Sequence, residues 1–437
     1  MPDVDTPEVR PTRVAQARGL LLTFALAATV SAFGALFAHF FRESILFTLE
    51  HLGGDRRSTV VAADSSRLGV FALVTAGLLA AGWIGRIAMR WGHERLGLAA
   101  VAVAARGAGA GPSMSGTLLR SSGTWLAMST LSSLGREAAI LETGGSFGAW
   151  LGRRMHRPPA DLASTGIAAA FAAAYHAPIG AFLYVREHVV NRPERRTIAC
   201  SLAGGVMGFL FSLQFLGGAP VFHHGVDPLG GGAFVRAAAA LIPAVIVTRA
   251  FFAVRKRLAP SVEPAPESAR IWLRSAVFAV VGGAVVALVP LTSGNGMEAI
   301  RQGFTGATVG LGLALCFGKL VATSASIGSG APGGVFSPSM AVAAGAALLS
   351  FEALAKLGVT LPGTPWDGML AAMSVGIAVG TRSPLVGIVV VAELAGDARL
   401  LPVCGVAVGL AWLVERIIDA ASRRLRPERA VVASLDG

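Results

Sequence analysis

The chain has 437 residues, 54% of them hydrophobic and only 14% charged, against roughly 25% charged in ordinary soluble domains. That composition excludes a soluble globular domain and a disordered chain, and it implies an integral membrane protein surrounded by a lipid bilayer. The net charge of +12 is not the signature of a nucleic-acid partner. Its basic residues sit in short loops between apolar runs, at "GRRMHR" (152–157), "NRPERR" (191–196), "RKR" (255–257) and "RRLRPER" (423–429), as the positive-inside rule expects of cytoplasmic loops and a cytoplasmic C-terminus.

In chain order, a polar segment, residues 1–18, precedes the first uncharged run at 19–41. No small-residue cleavage site follows that run, so it is read as a retained helix rather than a signal peptide. Further uncharged runs cover 68–85, 162–185, 197–222, 275–297, 320–351 and 400–414. Each approaches or exceeds the roughly 18–20 residues that cross a hydrocarbon core about 30 Å thick. Shorter or interrupted apolar pieces, at 96–104, 121–134, 138–152, 233–250, 302–318 and 368–392, read as half-helices, tilted helices or re-entrant segments. The expected architecture is all-α: one transmembrane domain over 19–422, a cytoplasmic N-terminal segment (1–18) and a short cytoplasmic tail (423–437). Cys200, Cys316 and Cys404 lie within apolar pieces without metal-like spacing and read as small core residues. No nucleotide, haem or Mg²⁺ motif, nucleophile elbow or His/Asp/Glu cluster is present, so neither a cofactor nor an enzymatic activity is expected.

Glycine is unusually common, 55 residues, and most of it serves close helix packing. Two glycine-rich interruptions stand apart, near 132–146 and near 328–338, the latter reading "GSGAPGGVFSP" inside a run without any charge. Irregular backbone at membrane depth is tolerated only where protein or a water-filled cavity satisfies its N–H and C=O groups. Corresponding breaks in two halves of a chain mark a transporter's site.

In the first break, Gly135, Arg136 and Glu137 open an apolar segment. A carboxylate within a membrane protein is a functional hypothesis by default. A helix N-terminus, with free N–H groups and a positive dipole end, tolerates one there. A position that holds a carboxylate can also hold a halide, so Glu137 is a candidate gate that competes with an anion; the alternative on spacing alone is an interfacial Arg136–Glu137 pair. The second break presents Gly333, Gly334, Val335 and Phe336 as N–H donors at the start of a helix, with Pro338 in its first turn. Such backbone donors bind anions without a side-chain charge; the alternative is a tight loop without a ligand. Lys319 is expected to snorkel to an interface, and His39 and His176 to make interhelical hydrogen bonds.

"GSGAPGGVFSP" resembles the anion-filter signature of the CLC family of chloride channels and proton/chloride antiporters, of the prokaryotic type without CBS domains. "GREAA" (135–139) resembles that family's Gly-Arg-Glu-Gly-Pro motif, with Glu137 on the gating glutamate. "AAAYHAPIGAFLYVREH" (172–188) resembles its Phe-Asn-Ala-Pro helix, and "VVVAELAGDARLLP" (389–402) the segment before its last helix. The resemblance implies inverted repeats with broken helices, helix N-termini aimed at ions near the midplane, a homodimer with one pore per subunit, voltage-gated transport of chloride or a related anion, and a bacterial inner membrane.

The sequence also departs from the family pattern. No close match to the first filter loop exists: "GHERL" (92–96) puts His93 at the central serine, while "GAGAGP" (107–112) has better glycines but lies nearer Glu137. The tyrosine implied before the last helix is absent, the only tyrosines being Tyr175 and Tyr184. The acidic pair implied on the internal proton path is Glu187 and His188 here. Either could carry a proton, the imidazole because it titrates near neutrality in water. The departures incline the reading to a channel or weakly coupled conductor. The alternatives are a proton-coupled antiporter of chloride, fluoride or nitrate, and a non-conducting membrane scaffold.

Overall fold

Proline and a left-handed residue set the helix boundaries that shape this fold. The computed structural model describes residues 13–91, 97–190, 194–222, 230–258 and 269–425. The first half contributes α1 (Arg13–Gly53), α2 (Ser58–Asp64), α3 (Arg67–Trp91), α4 (Leu98–Ala105), α5 (Met114–Ser129), α6 (Glu137–Arg154), α7 (Pro159–Tyr175), α8 (Pro178–Tyr184) and α9 (Arg195–Leu216). The second contributes α10 (Gly231–Leu258), α11 (Ala269–Leu288), α12 (Met297–Thr305), α13 (Val309–Leu313), α14 (Lys319–Gly328), α15 (Phe336–Lys356), α16 (Pro365–Thr381), α17 (Pro384–Ala395) and α18 (Leu400–Leu425). π-helical turns follow α8 (Val185–Val190) and separate α13 from α14 (Ala314–Gly318). Among the described residues no extended strand forms, and eight helical segments are long and apolar enough to cross a membrane.

The two halves repeat. α7 and α16 each start on proline, span 17 residues and end at a left-handed residue, His176 (φ 54°) or Arg382 (φ 55°). A non-helical residue follows, Ala177 (φ −124°, ψ 76°) or Ser383 (φ −127°, ψ 85°), and then the proline that opens α8 or α17. The offset is constant: 365 − 159, 382 − 176 and 384 − 178 all equal 206. The repeats are inverted: Glu187, just past the end of α8, accepts from the start of α17, and Glu393, near the end of α17, accepts from the start of α8, so these corresponding helices run antiparallel.

Glycine lets these helices touch backbone to backbone. A Cβ on Gly144 of α6 would lie 2.6 Å from Gly166 O of α7, too close for any side chain, as in small-residue membrane interfaces.

Three expectations change. The run 162–185 is not one span: left-handed His176 and Pro178 stop the helix and divide the run into α7 and α8, because the residue before a proline is forced out of the helical region. The piece at 233–250 lies within a full-length helix, α10, which carries Pro243 internally. Lys319 does not snorkel: it is fully buried, and its ammonium donates to Thr292 O at 2.9 Å, Ser293 O at 3.3 Å and Gly294 O at 2.5 Å. The turn at Pro290–Thr292 leaves these carbonyls pointing inward, so the charge is satisfied inside the protein rather than at an interface. His39 stacks on Phe215, ring centroids 4.8 Å apart. The residues before Arg13 and after Leu425 lie outside those described.

Candidate functional site

The two sequence breaks meet. Gly135 N donates to Gly334 O at 2.9 Å and Gly334 N to Gly135 O at 2.7 Å, a two-bond antiparallel bridge between the halves. The bridge sets the N-termini of α6 and α15 side by side. Glycine on both sides of the bridge leaves room for the carboxylate: a Cβ on Gly334 would lie 2.7 Å from Glu137 Cδ and Oε1, and one on Gly135 would overlap the same carboxylate. Gly333 packs its backbone against Leu134.

Glu137, the first residue of α6, turns its buried carboxylate onto the first turn of α15. Oε1 accepts from Ser337 N at 3.0 Å and Oε2 from Ser337 Oγ at 3.3 Å. An anionic group thus sits on the amides of a helix start, where the dipole favours it. The amides of Gly135 and Gly334 are engaged in the bridge, and Ser337, one residue beyond the donors expected from sequence, meets the carboxylate. Val335 is the N-cap of α15 and Phe336 its first residue.

Phe336 closes one side of the site with an aromatic group. Its ring centroid lies 5.4 Å from Phe171, 5.3 Å from Tyr175 and 6.1 Å from Tyr184. The Tyr175 phenol lies 2.8 Å from Ser337 Oγ. The sequence reading passed over both Tyr175 and Ser337. The available signal was that Tyr175 is one of two tyrosines and stands immediately before the helix-ending His176.

On the other side Glu137 faces a cavity of about 420 Å³ lined by Arg42, Arg56, Arg57, Arg136 and Arg301, with Glu298 the other carboxylate. Arg56 pairs with Glu43 and Glu50, and Arg57 with Asp55. The lining remains predominantly cationic, and such a cleft concentrates anions. Arg136 is the N-cap of α6 and belongs to this lining rather than to a side-chain ion pair with Glu137 among the described residues.

Glu187 and His188 lie on the π-helical turn beyond α8. Glu187 Oε2 accepts from Leu385 N at 3.1 Å and Val386 N at 3.2 Å, at the start of α17. Glu393 of α17 reciprocates, accepting from Ile179 N at 2.9 Å and Gly180 N at 2.7 Å at the start of α8. These glutamates are also 206 positions apart (393 − 187), so each repeat caps the other. His188 Nδ1 lies 3.0 Å from Thr381 O, and its ring centroid is 4.9 Å from that of Tyr184.

His93 falls outside the described residues. The alternative "GAGAGP" connects α4 to α5 and meets Arg153 at Ala110. The start of α4 is occupied by a carboxylate that sequence reasoning missed. Buried Glu142, on α6, accepts from Gly97 N at 2.8 Å and lies 3.7 Å from Arg120 Nε. Among the described residues no group of His, Cys, Asp and Glu side chains is placed to hold a metal, and the three cysteines are separate and buried.

A family profile described as voltage gated chloride channel matches residues 76–416. A Ralstonia nicotianae protein described as a ClcB-like chloride channel protein is 29% identical over 396 residues, covering 85% of this chain and 88% of its own length. The fold is similar to that of a slow cyanobacterial Cl⁻/H⁺ antiporter, with TM-score 0.71 and 16% identity over 89% of this chain and 93% of that one. It is also similar to a CLC-type fluoride/proton antiporter, with TM-score 0.69 and 18% identity over 93% and 97% of the two chains.

Proposed function

The chain belongs to the voltage-gated chloride channel family, and on that premise we propose that it moves chloride or a related monovalent anion across a membrane through the space now filled by the Glu137 carboxylate. The observation that carries this reading is the seating of that carboxylate on Ser337 N–H and Oγ–H. A halide carries the same single charge and takes the same donors.

The arginine-lined cavity gathers anions at one end of the site. Glu137 acts as gate: its carboxylate swings aside or takes up a proton, and an anion replaces it on the first turn of α15. The remaining N–H groups around Arg136, Gly333, Val335 and Phe336 contribute to the positive potential there, while Gly135 and Gly334 clasp the two helix starts. Affinity at the site is modest, since a tightly held ion would not leave. The basic end, with Arg153, Arg154 and Arg255–Arg257, faces the cytoplasm of a bacterial inner membrane. The functional unit is a homodimer with one pore in each subunit, and its work is transport, not enzymatic chemistry.

Conduction is uncoupled or weakly coupled in this reading, because Glu187 already caps α17 through two hydrogen bonds. The proton-coupled alternative draws support from His188: its ring packs on Tyr184, which packs on Phe336 at the filter. Proteoliposomes loaded with chloride, voltage-clamped with valinomycin and monitored for chloride and internal pH together, decide between them. Chloride release without proton movement supports the channel. Proton uptake against its gradient supports the antiporter. Absence of anion flux under any imposed voltage overturns both and returns the fold to a scaffold. Glu137→Ala is expected to retain anion leak and to lose gating and any proton coupling.

A further inference from the structure

The Ser337 hydroxyl has one proton and two close partners. Its Oγ lies 3.3 Å from Glu137 Oε2 and 2.8 Å from the Tyr175 phenol oxygen. An ionised carboxylate only accepts hydrogen bonds, whereas a hydroxyl both donates and accepts. Ser337 therefore donates to Glu137, and the remaining bond has Tyr175 donating to Ser337. While Glu137 is ionised, the polarity runs from Tyr175 O–H to Ser337 Oγ–H to carboxylate.

Both residues are buried, Ser337 at 0% and Tyr175 at 5% exposure, at the wall of the arginine-lined cavity. Each is held by its own half of the chain. Tyr175 is the last residue of α7, its ring set against Phe171 at 4.9 Å and Phe336 at 5.3 Å. Ser337 is the second residue of α15. Their distance is thus set by the packing of two repeats and not by a flexible loop.

We infer that Tyr175 and Ser337 form a donor relay that sets the anion preference of this site, favouring small anions with localised charge, the halide class, over diffuse anions such as thiocyanate. The inference rests on the transport reading above and adds to it a determinant of selectivity. When Glu137 vacates, the incoming anion receives Ser337 N–H and Oγ–H. Tyr175, by donating to the serine oxygen, polarises that hydroxyl and keeps its proton directed at the ion. Hydrogen bonds to a concentrated charge are stronger than neutral ones, so the relay stabilises a halide more than an anion whose charge is spread over several atoms. Without the phenol, the serine oxygen loses its donor.

Tyr175→Phe removes one oxygen and keeps the ring contacts. The measurement is the ratio of chloride to thiocyanate flux from proteoliposomes, a ratio within one preparation that altered protein yield does not move. Loss of one such hydrogen bond is expected to lower the ratio about three- to tenfold, with thiocyanate flux retained. Ser337→Ala lowers it at least as far, and the double variant no further than Ser337→Ala alone. An unchanged ratio in Tyr175→Phe, or additive losses in the double variant, overturns the relay. Should Tyr175→Phe fail to assemble, Ser337→Ala cuts the last link without touching Tyr175, and an unchanged ratio there overturns the relay by itself. Flux with an unchanged ratio refutes the relay alone, while absence of all anion flux in the unaltered protein refutes the transport reading and the relay with it.

Discussion

Gly334 is the position where a single methyl group tests the anion path. Its backbone lies outside the left-handed region, so alanine is tolerated by φ alone. The added Cβ, however, would stand 2.7 Å from Glu137 Cδ and Oε1 and 2.9 Å from Cγ, where carbon contacts settle at about 3.5–4.0 Å. Methyl and carboxylate cannot coexist, and the carboxylate, at the end of a rotatable side chain, is the part that yields. An anion occupying the position of Oε1 meets the same methyl. Gly334→Ala is therefore expected to obstruct the path whether or not Glu137 is present. Overpacking of this kind costs about 1–3 kcal/mol, equivalent to about a five- to 150-fold fall in occupancy of the site. The assay is chloride efflux from proteoliposomes bearing Glu137→Ala, compared with Glu137→Ala/Gly334→Ala. The single variant is expected to leak, and the double variant to leak at least about fivefold more slowly. Equal leak in the two would show that the ion does not pass the place where the carboxylate sits.

Lys319→Met leaves the carbonyls of Thr292, Ser293 and Gly294 without their donor, with an expected loss of about 2–5 kcal/mol, read as a lower Tm in detergent; an unshifted Tm would refute the buried ammonium. Gly166→Val forces α6 from α7, because a Cβ on Gly166 collides with Gly144 O, and is expected to abolish assembly by size-exclusion chromatography; a monodisperse protein of normal flux would refute the close crossing. Glu187→Gln and Glu393→Gln each weaken a helix cap, by about 1 kcal/mol, and Glu393→Gln is expected to lower Tm the more, because Glu393 uses one oxygen for each amide and Glu187 a single oxygen for both. A loss of proton coupling confined to Glu187→Gln would separate a proton-carrying task from the shared capping task.

Composition and local pattern determined the class of molecule. Uncharged runs about as long as a bilayer is thick, basic clusters at the ends of those runs, and glycine and proline inside otherwise apolar segments follow from solvation of single residues and from backbone geometry. They hold wherever the segment sits in the fold. The two glycine-rich breaks and the buried setting of Glu137 were legible for the same reason, since a carboxylate and irregular backbone in a membrane both need a protected setting. What depends on pairing across nearly 200 residues was not legible. The Gly135–Gly334 bridge, the Ser337 donor pair, the Tyr175 phenol and the reciprocal caps of Glu187 and Glu393 each join one half of the chain to the other. No periodicity in either half specifies the partner. Lys319 shows the limit most plainly: its stem is long enough to reach an interface, and only the inward carbonyls of the Thr292–Gly294 turn, brought to it by tertiary packing, decide that its charge stays inside.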